Sequence, residues 1–151
     1  MQIISVISVF IAIVLMIVLS GGTSATMFLD LPSLLLIIII VVPIMTGTGQ
    51  WKPFFQAFHY LNKKKDVNLT VLNRSIEAVT FVQRLVLYGS LLLAVFSVIM
   101  IFSQSQGLSD HLLNNLSVAL LPFLYGLTIS LLLLPVRTVL VSRRIDYISV
   151  N

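Results

Sequence analysis

The side chains in this protein that could carry a proton or hold a cation are few, and none sits where a membrane relay needs one. They are Asp30, Asp66, Glu77, Asp110, Asp146, His59 and His111, and all fall outside the long apolar runs. A proton or sodium pathway through lipid requires a titratable or coordinating group at membrane depth. Either the chain moves no ions, or another polypeptide brings the carboxylate. The sequence contains no cysteine, no nucleophile–base pair, no phosphate-binding loop and no cluster with metal-ligand spacing. An enzyme is therefore not expected. No metal, no organic cofactor and no nucleic-acid partner is expected either.

The apolar runs do carry small and weakly polar side chains in rows. Ser90, Ala94 and Ser97 recur at i, i+4 and i+7. Ala119, Pro122, Gly126 and Ser130 recur at i, i+3, i+7 and i+11, with Phe123 beside them. Such stripes let helices approach closely. They read as ordinary helix packing or, more sharply, as the lining for a central helix. Pro122 releases a backbone carbonyl, which makes a kink or an oxygen for a passing ion, and the kink is the simpler reading. Glu77, Thr80 and Arg84 share one helical face, as a solvated surface or as a contact between subunits. Tyr88 and Tyr125 lie at membrane depth and need partners for their hydroxyls.

These residues must be positioned by membrane helices. The 151 residues are 58% hydrophobic and 9% charged, with mean hydropathy +1.10. A soluble domain cannot cover so much apolar surface. The expected fold is all-α, a polytopic membrane protein with four spans in one domain, 1–151. Roughly 20 apolar residues cross a bilayer. Spans are expected over 3–20, 31–48, 77–103 and 112–141. The third and fourth are long and extend into the cytoplasm, the third from near Leu69 and the fourth past Pro135 to about Arg144. A barrel is excluded, because the runs are continuous rather than alternating. The first run is read as a span rather than a cleaved signal, since Met1-Gln2 offers no basic side chain ahead of it.

Charge sets the orientation. Lys52, Lys63, Lys64, Lys65, Arg74 and Arg84 lie between the apolar parts of the second and third spans, and Arg137, Arg143 and Arg144 at the end of the fourth. Those nine are all the Lys and Arg in the chain. The positive-inside rule places both segments, and both termini, in the cytoplasm. Within the inner loop, 51–76, the stretch Trp51-Lys-Pro-Phe-Phe-Gln-Ala-Phe-His-Tyr60 reads as an interfacial helix with Pro53 in its first turn. Trp51, Phe54, Phe55 and Phe58 are expected at headgroup depth, with Lys63, Lys64 and Lys65 near anionic lipid. Asp30 and Pro32 read as an N-cap and a first-turn proline opening the second span.

Two stretches resemble the MotA/TolQ/ExbB proton channel family, most nearly its flagellar stator A-subunit. One is Ser20-Gly-Gly-Thr-Ser-Ala-Thr-Met-Phe-Leu-Asp-Leu-Pro-Ser-Leu-Leu-Leu36, similar to the Gly-rich end of the family's first helix and its Phe-Ile-Asp-Leu-Pro-Ser-Leu opening of the second. The other is Val118-Ala-Leu-Leu-Pro-Phe-Leu-Tyr-Gly126 with Leu133-Leu134-Pro135, similar to Val-Ala-Leu-Leu-Thr-Thr-Phe-Tyr-Gly and a closing Leu-Pro in the family's last helix. Gly89-Ser90 stands where the family tends to have Gly-Thr. The resemblance covers all four spans in order.

What the resemblance implies is a homo-oligomer, a ring of five copies in the bacterial inner membrane. Two copies of a MotB-like single-span partner would thread the ring, each bearing a membrane aspartate that carries the proton or sodium ion. Ion binding there would drive rotation of the ring. The chain departs from the family in two ways. About 30 residues stand where the stator subunit has a large cytoplasmic domain, so the implied task is non-flagellar. Pro122 and Phe123 replace a threonine pair that helps shape the ion path, leaving Ser90 and Thr128 as the remaining hydroxyls. The alternative is a non-conducting scaffold or accessory subunit of the same fold.

Overall fold

The computed structural model describes residues 11, 30–62, 68–104 and 112–150. The expected first span, 3–20, and the triplet Lys63, Lys64 and Lys65 lie outside that set. The described elements are α1 (Leu31–Gly47), α2 (Trp51–Asn62), α3 (Leu69–Gln104), α4 (Leu112–Ala119) and α5 (Leu121–Val150), with no strand among the described residues. Two helical stretches, Leu69–Ser103 and Leu112–Ser149, are long and apolar enough to cross a membrane.

α1 opens at Asp30, whose backbone is extended, with Pro32 in the first turn, where no N–H is required. The Asp30 carboxylate does not cap a backbone N–H. It accepts a hydrogen bond from the Ser33 hydroxyl instead. The other end closes by a reciprocal pair of turn bonds. Gln50 N–H donates to the Met45 carbonyl at 3.1 Å and Gly49 N–H to the Thr46 carbonyl at 3.2 Å. This closure places one residue in the left-handed region, and Gly49, at φ 65°, supplies it without a side-chain penalty. The turn swings α2 to 97° from α1.

α3 has 36 residues and so runs about 54 Å. It begins at Leu69, as its unbroken helical sequence leads one to expect. The last long stretch, Leu112–Ser149, can cross as one span, but its helix is interrupted at Leu120. Pro122 has no N–H to give the carbonyl one turn earlier, so the chain tightens at Leu120, where the N–H donates to the Ser117 carbonyl at 3.3 Å. Pro122 then occupies the first turn of α5. α5 continues through Pro135 to Val150, further than Arg144.

α3 and α5 form the main hairpin. Leu72, Ile76, Val79, Val82 and Val86 make one stripe of α3 and pack with Leu133, Val136 and Leu140 of α5, with Ile37 and Met45 of α1 and with Ala57 of α2. Leu72, Val79, Leu140 and Ala57 are almost wholly enclosed. Elsewhere the hairpin exposes large apolar side chains, including Leu92, Phe96, Ile99 and Leu131. Each would cost roughly 1.5–3 kcal/mol to leave in water, so lipid or further protein must cover them.

Candidate functional site

The small-residue rows meet each other inside the hairpin. Gly126 of α5 lies so close to α3 that a Cβ added there would stand 1.7 Å from Ser90 Oγ, 2.5 Å from Ser90 Cβ and 3.1 Å from the Val86 carbonyl oxygen. Only glycine fits at that contact. Ser90 is fully buried, and its hydroxyl donates back to the Leu87 carbonyl at 2.9 Å. Ala94, Ala119, Pro122 and Gly126 are buried as well. Packing within one chain therefore accounts for Ser90 and Gly126, and neither presents a group to a partner helix. Ser97, Phe123 and Ser130 differ, because each is half-buried and keeps part of its surface outward.

One polar link crosses the hairpin at this depth. Gln83 Nε2 donates to the Ser130 carbonyl at 3.0 Å. Gln83 stands just ahead of the 18-residue apolar stretch Leu85–Phe102, and an amide at that point is a signal that a partner is nearby. A second link joins α1 to α5, where the Asp30 N–H donates to the Tyr125 hydroxyl at 2.7 Å. Tyr125 thus has the partner its depth called for. α1 also approaches α3 closely, with Ile40 Cγ2 at 3.4 Å from where a Cβ on Gly89 would stand.

Away from the seam, α3 presents a continuous exposed face. Glu77, Arg84, Tyr88, Leu91, Val95 and Ile99 are all exposed and fall on one side at 100° per residue. Glu77 and Arg84 therefore lie on the surface, at the basic end of the same face that is apolar further along. The apolar segments themselves hold no Asp, Glu, His, Lys or Arg. None occurs from Leu31 to Gly47, from Leu85 to Phe102 or from Leu112 to Val136. No group of three metal-binding side chains exists among the described residues.

At the basic end, α2 packs on α3 and α5. Trp51 Nε1 donates to Thr46 Oγ1 at 3.0 Å, and its ring stacks on Phe55 with centroids 5.8 Å apart. Phe55 and Phe58 point outward. Phe54 does not. It turns inward against the core, because Ala57 and Phe54 share the face that meets α3. Arg143 of α5 reaches the C-terminal turn of α2, donating to the Tyr60 carbonyl and, at 2.9 Å, to the Leu61 carbonyl. A cation is favourable against helix carbonyls so placed. Asn73 Oδ1, Ser75 Oγ and Arg144 Nε are buried at this end without a hydrogen bond in the structure.

Compared with protein-family models, with curated proteins and with solved structures, the chain matches none.

Proposed function

We propose that this chain is a MotA-like subunit of an ion-driven membrane motor or channel, in which a different protein supplies the ion-binding acid. In this reading it crosses the membrane four times with both termini in the cytoplasm. Five copies surround a dimer of MotB-like single-span partners, and the aspartate of each partner carries the proton or sodium ion. The small inner loop makes a non-flagellar task the better fit.

The observation that carries the reading is the uncharged character of the hairpin. The apolar parts of its two long helical stretches, Leu85–Phe102 and Leu112–Val136, contain no Asp, Glu, His, Lys or Arg, yet their outer faces are too apolar to stand in water. A subunit of that kind provides a low-dielectric wall, within which a partner's lone carboxylate takes up and releases an ion. With Ser90 and Gly126 occupied by each other, the hydroxyls left to face a central helix are Ser97, Thr128 and Ser130, all half-buried. Phe123 is half-buried as well, at a position where the resemblance implies a hydroxyl, and this favours one further reading, a non-conducting scaffold of the same fold. Ion flux in liposomes holding the purified complex separates the two, since a scaffold shows none.

A hydrophobic carbodiimide, which modifies protonated carboxyls within lipid, tests the main reading. Applied to the complex purified from its native membrane, it is expected to label a small companion protein and no residue of α1, α3 or α5. Label on Asp30 would place the acid in this chain and overturn the proposal.

A further inference from the structure

The exposed side of α2 has a composition that water alone does not explain. At 100° per residue, Lys52, Phe55, Phe58 and His59 fall within one arc of about 120°, and all four are exposed. Phe55 is 61% and Phe58 41% accessible. The opposite side is fully used, with Ala57 enclosed and Phe54, Tyr60 and Leu61 against the core. The helix is held by the Gly49 turn ahead of it and by the Arg143 bonds to the Tyr60 and Leu61 carbonyls. It therefore presents this arc in a fixed orientation. It also lies at 97° to α1, so if α1 crosses the bilayer, α2 runs along the bilayer surface.

Charge says what that surface is. The described cations are Lys52, Arg74, Arg84, Arg137, Arg143 and Arg144, and all belong to the α2 end of the hairpin. The described acids there are Glu77 and Asp146, so six minus two leaves a charge of +4. Asp30 stands at the other end. Exposed aromatic rings beside a cation, within a basic region, match a surface that is apolar at acyl depth and negative at its headgroups.

We infer that α2 is a docking site for anionic phospholipid, with the Lys52 ammonium on a headgroup phosphate and the Phe55 and Phe58 rings against the acyl chains below it. The interaction holds the basic end of the hairpin at a leaflet rich in negative lipid. It requires that the chain be embedded in a membrane and does not depend on the ion-motor reading.

Trp51 is the only tryptophan in the chain, and it stacks on Phe55, so its emission reports on this arc. The full-length protein is reconstituted into equimolar phosphatidylcholine and phosphatidylglycerol, with one lipid or the other brominated. Quenching by brominated phosphatidylglycerol is expected to exceed that by brominated phosphatidylcholine about twofold or more, within the roughly fivefold that one surface cation supports. Lys52→Gln, at an exposed position that leaves the fold intact, is expected to bring the two toward equality. Equal quenching of the unaltered protein by both lipids would overturn the inference. So would an unchanged ratio in K52Q, or weak quenching by both lipids with strong quenching by aqueous iodide, which would mean that water or a protein partner faces the arc.

Discussion

Replacing Gly126 with alanine puts a methyl group where Ser90 already stands. The new Cβ would lie 1.7 Å from Ser90 Oγ and 2.5 Å from Ser90 Cβ. Rotating the serine hydroxyl away would break its bond to the Leu87 carbonyl and still leave the 2.5 Å clash, because Cβ is fixed by the backbone. The Val86 carbonyl oxygen, at 3.1 Å, blocks a shift in the other direction. α3 and α5 must therefore separate locally. Overpacking of this kind costs about 1–3 kcal/mol, and replacing a helical glycine by alanine returns up to about 1 kcal/mol. With the 2.5 Å contact fixed by both backbones, the upper half of that range, about 2–3 kcal/mol, applies, and a net loss of about 1–2 kcal/mol is expected. In a chain of this size that lowers Tm by about 2–4 °C per kcal/mol. Thermal unfolding in detergent, followed by Trp51 emission, measures it. The geometry also orders the rescues. Ser90→Ala removes the 1.7 Å contact and keeps the 2.5 Å one, so it rescues G126A in part. Ser90→Gly removes both and should recover most of the loss, with a coupling energy of about 1 kcal/mol or more. A G126A protein as stable as the parent would refute the reasoning. Equal rescue by S90A and S90G, or simple additivity, would also do so.

Two other substitutions test how the flanking helices are tied to the hairpin. Arg143→Gln removes a cation from the Tyr60 and Leu61 carbonyls, at a cost of about 1.5–3 kcal/mol for charge-assisted bonds. Hydrogen exchange should accelerate in the last turn of α2 and stay unchanged around Ser90. Uniform acceleration would contradict a local tie. Tyr125→Phe leaves the Asp30 N–H without its acceptor and should cost about 1 kcal/mol. Faster exchange at the start of α1 is the expected signature, and no change there would show that the bond does not hold α1.

Much of this architecture could be read from residue order. The start of α3 at Leu69 and a separate helix α2 with Pro53 in its first turn follow from local rules about proline, breakers and apolar runs. The pairing of faces could not. Ser90, Ala94 and Ser97 lie on one stripe, but only the register of α3 against α5 shows Ser90 buried beside Gly126 and Ser97 partly outward. Phe54 and Phe55 are adjacent aromatics with opposite fates, decided by which one shares a face with Ala57. The tie from Arg143 to α2 joins residues 82 and 83 positions apart. Nothing local to either end announces a contact at that separation.

In the proposed function this chain surrounds a membrane carboxylate that a second protein supplies. Single-particle imaging of the complex purified from its native membrane, in the mildest detergent or a nanodisc, tests this most directly. The expected result is five copies of this chain around an axis occupied by helices of a second protein. A monomer, or a closed assembly with no room along its axis for another chain, would contradict it.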